Sequence, residues 1–362
     1  MSASRRDQPE RPSPAGGESR SSAALRGQVQ AMIAVPFLAA LVVSVSLTAP
    51  ATASPPCGAE ARARLLAPPG PDDDTVSLTC SIRLRPGDRI ARKILLEGSA
   101  ASGVTLDCAG ATLGRTDPPP AFSDFAVEIR SRQPTPGSPH WERPVDVTLR
   151  DCTILGNVRI WGMGLNGQGE AVRQSSRRPG HTERAQGAAP SRIRILDSRL
   201  TALGAIPLYL APGVTGVTLS GSTLDGTSSA VALYLDAESG GNTITNNTFA
   251  VSAGREMVAV DGSARNTITG NRFVLGARGG IHLYRNCGEG GTVRHQTPSD
   301  NLITGNSFRQ TGLWRSEPVK VGSRGGWGWT MNCDADAGYP FGSSLDDDDH
   351  ATGNVVEGNR VE

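Results

Sequence analysis

The chain has 362 residues, with 36 basic and 35 acidic side chains whose charges nearly cancel. That balance excludes the strongly basic surface that a nucleic-acid polyanion requires of its partner. Aromatic residues make up only 4% while glycine numbers 44, a composition suited to short strands joined by many tight corners. In chain order, a polar lead rich in Arg, Ser and Pro ends near Arg26, and an apolar run from Ala31 to Leu47 follows, interrupted by Pro36. Ala51-Thr52-Ala53 then completes a secretory signal, with cleavage expected after Ala53. The apolar run is barely long enough to span a bilayer and no Lys or Arg flanks its far end, so a retained anchor is the lesser reading. Cys57, behind Pro56, fits lipid attachment poorly. The long polar lead fits a start codon placed too early. Residues 1–53 are thus a signal with a polar lead, and a secreted or periplasmic protein without a membrane span is expected. Its six cysteines all follow Ala53, an even set for an oxidising compartment.

Residues 54–95 carry Cys57, Cys80 and the strand-like VSLTCSIRL from Val76 to Leu84. Two phrases of alternating apolar residues come next, GVTLDCAGATL (Gly103 to Leu113) and VDVTLRDCTIL (Val145 to Leu155), separated by a proline-rich link from Asp117 to His140. Gly162 to Pro190 breaks the pattern with a polar, basic stretch holding Arg173, Arg177, Arg178, His181 and Arg184. It reads as an unstructured insertion, either a solvated excursion or an arm over a groove. Beyond it, RIRILDSRL leads to IPLYL, and GVTLSGSTL leads to VALYLD. NTITNNTF (Asn242 to Phe249), NTITGNRF (Asn266 to Phe273) and NLITGNSF (Asn301 to Phe308) are one phrase repeated, and NVVEGNRV from Asn354 is its fainter copy. The first two copies lie 24 residues apart, a period that marks a solenoid. Each copy is too short to bury its apolar face alone, and stacking supplies the core. Asn and Gly mark the corner, because both accept the left-handed backbone of a tight bend. Asn247, Asn271 and Asn306 would stack there as a ladder.

The phrase resembles the repeat of right-handed parallel β-helix proteins, the superfamily of secreted carbohydrate-binding and sugar-cleaving proteins that includes pectate-lyase-like folds. The resemblance implies an all-β, single-stranded right-handed parallel β-helix over residues 96–362, with an N-terminal cap at 54–95 and long loop insertions. Stacked coils lie about 4.8 Å apart, within the reach of a disulfide, so Cys108 and Cys152, at equivalent places in their phrases, pair. Cys57 and Cys80 staple the cap. Cys287 and Cys333, bordering and within the insertions Gly288 to Asp300 and Gly325 to Thr352, pair by elimination.

Alternation along the strands fixes what faces outward. It puts Leu208, Leu233, Val258, Ile281 and Val319 inside, followed by an inner row of Leu210, Leu235, Val260, Leu283 and Val321. The outward row between them is Tyr209, Tyr234, Ala259, His282 and Lys320. One step on come Asp236, Asp261 and Tyr284, with Arg285 just beyond. These residues are expected to converge on one exposed face. Tyrosine rings suit a sugar surface, and Tyr209, Tyr234 and Lys320 are the candidate substrate-binding residues. Asp236, Asp261, His282, Tyr284 and Arg285 are the candidate catalytic set. For β-elimination, Arg285 or Lys320 would neutralise a sugar carboxylate while His282 or Tyr284 handles protons. For hydrolysis, Asp236 and Asp261 on adjacent coils would supply paired carboxylates. The bland readings stand beside these: the aspartates open turns, the tyrosines and His282 decorate a surface, and Arg255-Glu256 is a surface ion pair.

Asp334-x-Asp336-x-Gly338 and the run Asp346 to Asp349 with His350 hold oxygen ligands of the kind Ca²⁺ takes, though a closing glutamate is missing and a solvated charge run is the default. No metal site is assigned, and the cofactor stays open with Ca²⁺ as the candidate. The strings Asp-Pro-His-Asp of mannuronan epimerases, Arg-x-Pro-x-x-Arg of pectate lyases and the motif set of polygalacturonases are all missing. The sequence therefore suggests a monomer acting on an acidic polysaccharide, as lyase or epimerase ahead of hydrolase. The alternatives are a non-catalytic carbohydrate-binding or envelope-associated β-helix, and an accessory protein resembling copper-site maturation β-helices, which the few Met and five His make weak.

Overall fold

The chain winds through strand, corner, strand, corner and strand, then repeats one storey up. The computed structural model describes residues 53–117, 124–165, 169–287, 289–311, 315–323, 338–345 and 348–362. Apart from Ala53, the expected signal lies outside them. Every strand pair is parallel, in three sheets of nine, nine and ten strands among the described residues. The first sheet runs through Lys93–Glu97, Val127–Arg130, Val158–Trp161, Leu208–Leu210, Leu233–Leu235, Val258–Asp261, Ile281–Tyr284 and Val319–Val321, after opening with Thr75–Ser77. With Ile82–Arg83 and Arg89–Ile90, that opening strand already makes a complete coil, so the segment 54–95 holds the first storey as well as a cap. The cap itself is helix α1, Ala59–Leu66, whose Leu65 is buried in the core.

The core is what the alternation dictates. Leu208, Leu233, Val258 and Ile281 are buried in register, as are Leu210, Leu235, Val260 and Leu283. Val319 and Val321, assigned to the same rows, differ: Val319 is partly buried and Val321 is 45% exposed, because the strand above them is lacking among the described residues. Phe249, Phe273 and Phe308 stack face to face, 4.7 and 4.8 Å apart. Rings at that spacing bury large apolar area while keeping strict vertical register.

One corner is held by side chains from the second coil upwards. Asn271 Oδ1 accepts from the Asn247 backbone N–H (2.9 Å) and side-chain amide (3.0 Å), and Asn306 does the same for Asn271. Lower down, Asn247 accepts from Ser222 N, Ser222 Oγ from Ser198 N and Ser198 Oγ from Cys152 N. The bottom of the same column is the Cys108–Cys152 disulfide, with Cα atoms 4.8 Å apart. The residue before the column takes a left-handed backbone in coil after coil, at Asp151, Asp197, Gly221, Asn246, Gly270 and Gly305. A second column links Asn242, Asn266, Asn301 and Asn354. Cys57–Cys80 staples the cap as expected. Cys287 is disulfide-bonded, and its expected partner Cys333 lies outside the described residues.

Removing a middle rung strands its neighbours. Asn271→Ala leaves the buried Asn247 N–H without its acceptor, at about 1–3 kcal/mol, and takes one bond each from the Asn247 amide and the Ile244 carbonyl. We expect urea unfolding to show a loss of about 2–4 kcal/mol for Asn271→Ala and less than half of that for the half-buried Asn359→Ala.

Candidate functional site

The registers extend the outward row beyond the five coils read from the sequence. Leu95, Glu128, Arg159, Tyr209, Tyr234, Ala259, His282 and Lys320 lie side by side across the first sheet. Glu97, Arg130 and Trp161 form the lower part of the neighbouring row, and Asp261 and Tyr284 its upper part. The expected residues therefore do converge outside the core. They are not, however, an exposed face. Tyr209, Tyr234, Asp236, Asp261, His282, Tyr284 and Arg285 are all buried, from 9% exposed at Tyr234 to 0% at Asp261 and Tyr284.

Two insertions cover the aspartates and the tyrosines bonded to them. The stretch 162–190, expected to lack structure, folds into a helical hairpin of α2 (Glu170–Ser176) and α3 (His181–Ala188). Val172, Ala185 and Ala188 are buried, and α3 sits so close to Gly213 that any side chain there would strike the Ala185 carbonyl. The hairpin in turn holds residues 290–296 of the second insertion. Val293 N donates to Ser176 Oγ (3.0 Å), His295 Nε2 to Ser176 O (2.6 Å), and Arg173 and Arg177 to the carbonyls of Gly290 and Gly291. Glu238, fully buried at a left-handed turn, accepts from Thr182 of α3 and from the backbone N–H groups of His295 and Gln296.

What this strap delivers is Arg294. Its guanidinium donates to Asp236 Oδ1 (2.7 Å) and stands 4.0 Å from Asp261 Oδ2. Tyr209 donates to the other Asp236 oxygen, and Tyr234 to Asp261 Oδ2 at 2.7 Å. Asn286 gives Asp261 two more bonds, from its backbone and its amide. Burial, with Asp236 close by, holds the Asp261 carboxyl above the usual range against the opposing pull of Arg294, Asn286 and Tyr234. Burial and the same carboxylates push the Tyr234 hydroxyl well up, so it is no base at neutral pH.

His282 and Lys320 belong instead to an open groove of about 450 Å³, walled by Arg255, Glu256, Arg278, Gly279, Ser316 and Glu317. Arg255 donates to the Tyr284 hydroxyl (2.7 Å) and to Glu256 (2.6 Å). Burial weighs against its charge, but Tyr284, Glu256 and Tyr234 more than offset this and raise its pKa above the ordinary arginine value. The His282 Nε2 lies 3.0 Å from the Gly322 carbonyl, which can only accept, so that nitrogen is the donor and Nδ1 is the basic one in the neutral ring. The His282 and Tyr284 rings are 4.8 Å apart. Lys320, Arg278 and Glu317 are exposed.

The family model described as the right handed beta helix region matches residues 141–321, half of the chain. The chain belongs to the right-handed β-helix family. No curated protein sequence matches it. Among solved structures, DFA-IIIase from Arthrobacter chlorophenolicus is 12% identical over 84% of this chain and 78% of its own, with a TM-score of 0.39. PfbA, a surface adhesin of Streptococcus pneumoniae, is 15% identical over 68% of this chain and 59% of its own, with a TM-score of 0.34. The Dettilon tailspike protein is 15% identical over 79% of this chain, with a TM-score of 0.32, and the chain spans 55% of its length. At these identities the likeness speaks for the fold alone.

The expected single patch is thus split. Asp236, Asp261, Tyr209 and Tyr234 are bonded to one another and to Arg294 under the strap. Arg285 turns away to the Asp348 carbonyl and does not line the groove. Tyr284 is buried but holds the groove wall through Arg255 and Glu256, and only His282 and Lys320 line the opening itself. Arg255 and Glu256, dismissed as a surface ion pair, are central to it. Arg294 was missed because the insertion that carries it has no periodicity to place it, and Glu238 and Asn286 because they lie in corners just past the strands whose alternation was read. Among the described residues, no cluster of His, Cys, Asp and Glu is arranged to hold a metal ion. Of the acidic run proposed for Ca²⁺, Asp334, Asp336, Asp346 and Asp347 lie outside the described residues. No helix among the described residues is long and apolar enough to cross a membrane.

Arg294 carries a testable load. Removing one partner of a buried ion pair costs about 3–5 kcal/mol, since the stranded charge stays desolvated. Arg294→Met should lose that much in urea unfolding at neutral pH, and the double variant Arg294→Met/Asp236→Asn should recover part of it. Additive losses would refute the pairing.

Proposed function

We propose that the protein binds an acidic saccharide across this groove and acts on it by abstracting the C5 proton of a uronate unit, as a lyase or epimerase does. One observation carries the reading: three cations (Arg255, Arg278 and Lys320) and one histidine line an open groove, whereas the aspartate pair of the outward rows, Asp236 and Asp261, is sealed and already bonded, and of the two glutamates in the groove wall Glu256 is tied to Arg255. Hydrolysis needs two carboxyl groups that reach the glycosidic bond, one of them beside water. Asp236 and Asp261 meet neither need with the strap in place. Proton abstraction next to a carboxylate needs less: a cation to hold the carboxylate and take up charge as it spreads in the transition state, and one base.

In this reading Lys320 and Arg278 bind the uronate carboxylate. His282 takes the C5 proton, the C5–H electron pair forms the C4–C5 double bond, and the C4–O bond breaks. The imidazolium then returns its proton to the leaving oxygen. For epimerisation, reprotonation at C5 from the opposite side replaces the C4–O cleavage. Tyr284 is a positioning residue that fixes Arg255 and Glu256 in the wall. Tyr209 and Tyr234 are held back under the strap, and Asp236 and Asp261 serve as its anchor. The Cys57–Cys80 and Cys108–Cys152 disulfides fit an oxidising compartment outside the cytoplasm, where such polymers are met.

The two chemistries leave different marks, and both can be read in one incubation. A panel of uronic-acid polymers incubated in D₂O should show either the ultraviolet absorbance of unsaturated ends, from elimination, or deuterium at C5, from epimerisation. His282→Ala should lower the rate by about a hundredfold or more, the usual share of general acid–base catalysis. Lys320→Ala should lower kcat as well as raise KM, since the cation both holds the carboxylate and meets the charge that grows on it. Cleavage without unsaturated ends or C5 exchange would replace this reading with hydrolysis. Saccharide binding with no chemistry would leave a binding protein.

A further inference from the structure

We propose that the hairpin α2–α3 and the strap it holds form an acid-released cover, with His181 as the group that releases it and the Asp236–Asp261 pair as what is uncovered. The hairpin, the 290–296 strap and the solenoid meet at one point. His181 opens α3 and is 1% exposed, with its ring edge-on to His295 of the strap at 5.2 Å. Its Nδ1 reaches Ser175 Oγ of α2 at 3.0 Å. The same serine oxygen accepts from Arg184 Nε.

The charged groups around that ring are mostly cations. Arg184 and Glu183 share its own helix, Arg178 lies in the turn before it, and the strap supplies Arg294 and His295. The solenoid supplies Glu238, whose oxygens are taken by Thr182 and by the backbone N–H groups of His295 and Gln296. A proton placed on His181 is thus desolvated and repelled. Burial, then His295, Arg184 and Arg294, lower its pKa from 6.5 to about 3.

The sign follows from proton counting. Between pH 3 and 6.5 the released hairpin binds a proton that the docked one refuses. Docking strength is therefore complete above pH 6.5 and falls as the pH drops towards 3. The fall approaches tenfold per pH unit, or about a hundredfold between pH 7.5 and 4.5. Besides hydrogen bonds that water can replace on release, the buried Val172, Ala185 and Ala188 and the Arg294–Asp236 pair hold the cover, and His181 is the group that weakens this hold as the pH falls. Once the hairpin lifts, Val293 and His295 lose Ser176, and Arg294 loses the support that keeps it over Asp236 and Asp261.

Hydrogen exchange on the whole chain, corrected for intrinsic rates, reads this directly. Peptides covering 170–188 and 292–296 should exchange about a hundredfold faster at pH 4.5 than at pH 7.5, while those covering 243–249 and 267–273 stay protected. His181→Phe and His181→Asn, neither of which titrates, should flatten that pH dependence. Hairpin protection that ignores pH would overturn the proposal. So would core coils losing protection in step with the hairpin, or an undiminished acid effect in both variants.

Discussion

The structure depends on a bond that runs up one corner, from a backbone N–H in each coil to a side-chain oxygen in the coil above. A buried corner turns peptide groups away from any sheet, and each left unpaired would cost about 1–3 kcal/mol. The column of Ser198, Ser222, Asn247, Asn271 and Asn306 supplies the missing acceptors one coil at a time, starting with the Cys152 N–H. Because the acceptor belongs to a fixed place in its coil, the column also sets register. A slip of one residue would exchange every inward and outward side chain. The alignment of Tyr209 with Tyr234, and of His282 with Lys320, is a consequence of that column far from the face itself.

Two acceptor chemistries and one covalent link occupy the column, and their order has a physical sense. Asparagine makes a side-chain rung as well as a backbone one, and it fills the upper coils, where the stacked phenylalanines keep spacing uniform. Serine, shorter and with a single oxygen, appears below. The disulfide appears at the bottom, near the cap, and closes covalently what the other coils close by hydrogen bonding. Thr269 and Thr304 add a hydroxyl contact on the strand beside the corner.

How much of this was legible depended on periodicity. The repeated NTITGNRF-type phrase carried the coil, its corner and the Asn247–Asn271–Asn306 ladder, because each residue's place recurs. Cys108 with Cys152 was legible for the same reason. The Asn242 column was equally present in the phrase and was missed only because its first letter reads as the strand's start. Arg159 and Trp161 were also legible, as the alternate residues of Val158–Trp161, had the outward rows been carried further down. Burial of the face was not legible. The rows say which way a side chain points, but the hairpin and strap that cover it come from 162–190 and 290–296, where no repeat fixes position. His181 and Arg294 owe their surroundings wholly to that packing.

Charge counting ties the covered cluster together. Asp236, Asp261 and Arg294 together bring one negative charge more than they balance, and all three are almost fully buried. Such an excess is costly in a medium that screens poorly, and a carboxyl group relieves it by keeping its proton. The raised Asp261 carboxyl is the expression of that excess, with Asn286 and Tyr234 supplying hydrogen bonds that temper it. On the other side of the strap the imbalance has the opposite sign: His181 sits among Arg184, Arg294 and His295 and stays neutral. Arg294 is common to both, favouring negative charge on the aspartates below it and disfavouring positive charge on the histidine above. One guanidinium thereby serves both sites, bonded to Asp236 on one side and adding to the cost of a charged His181 on the other.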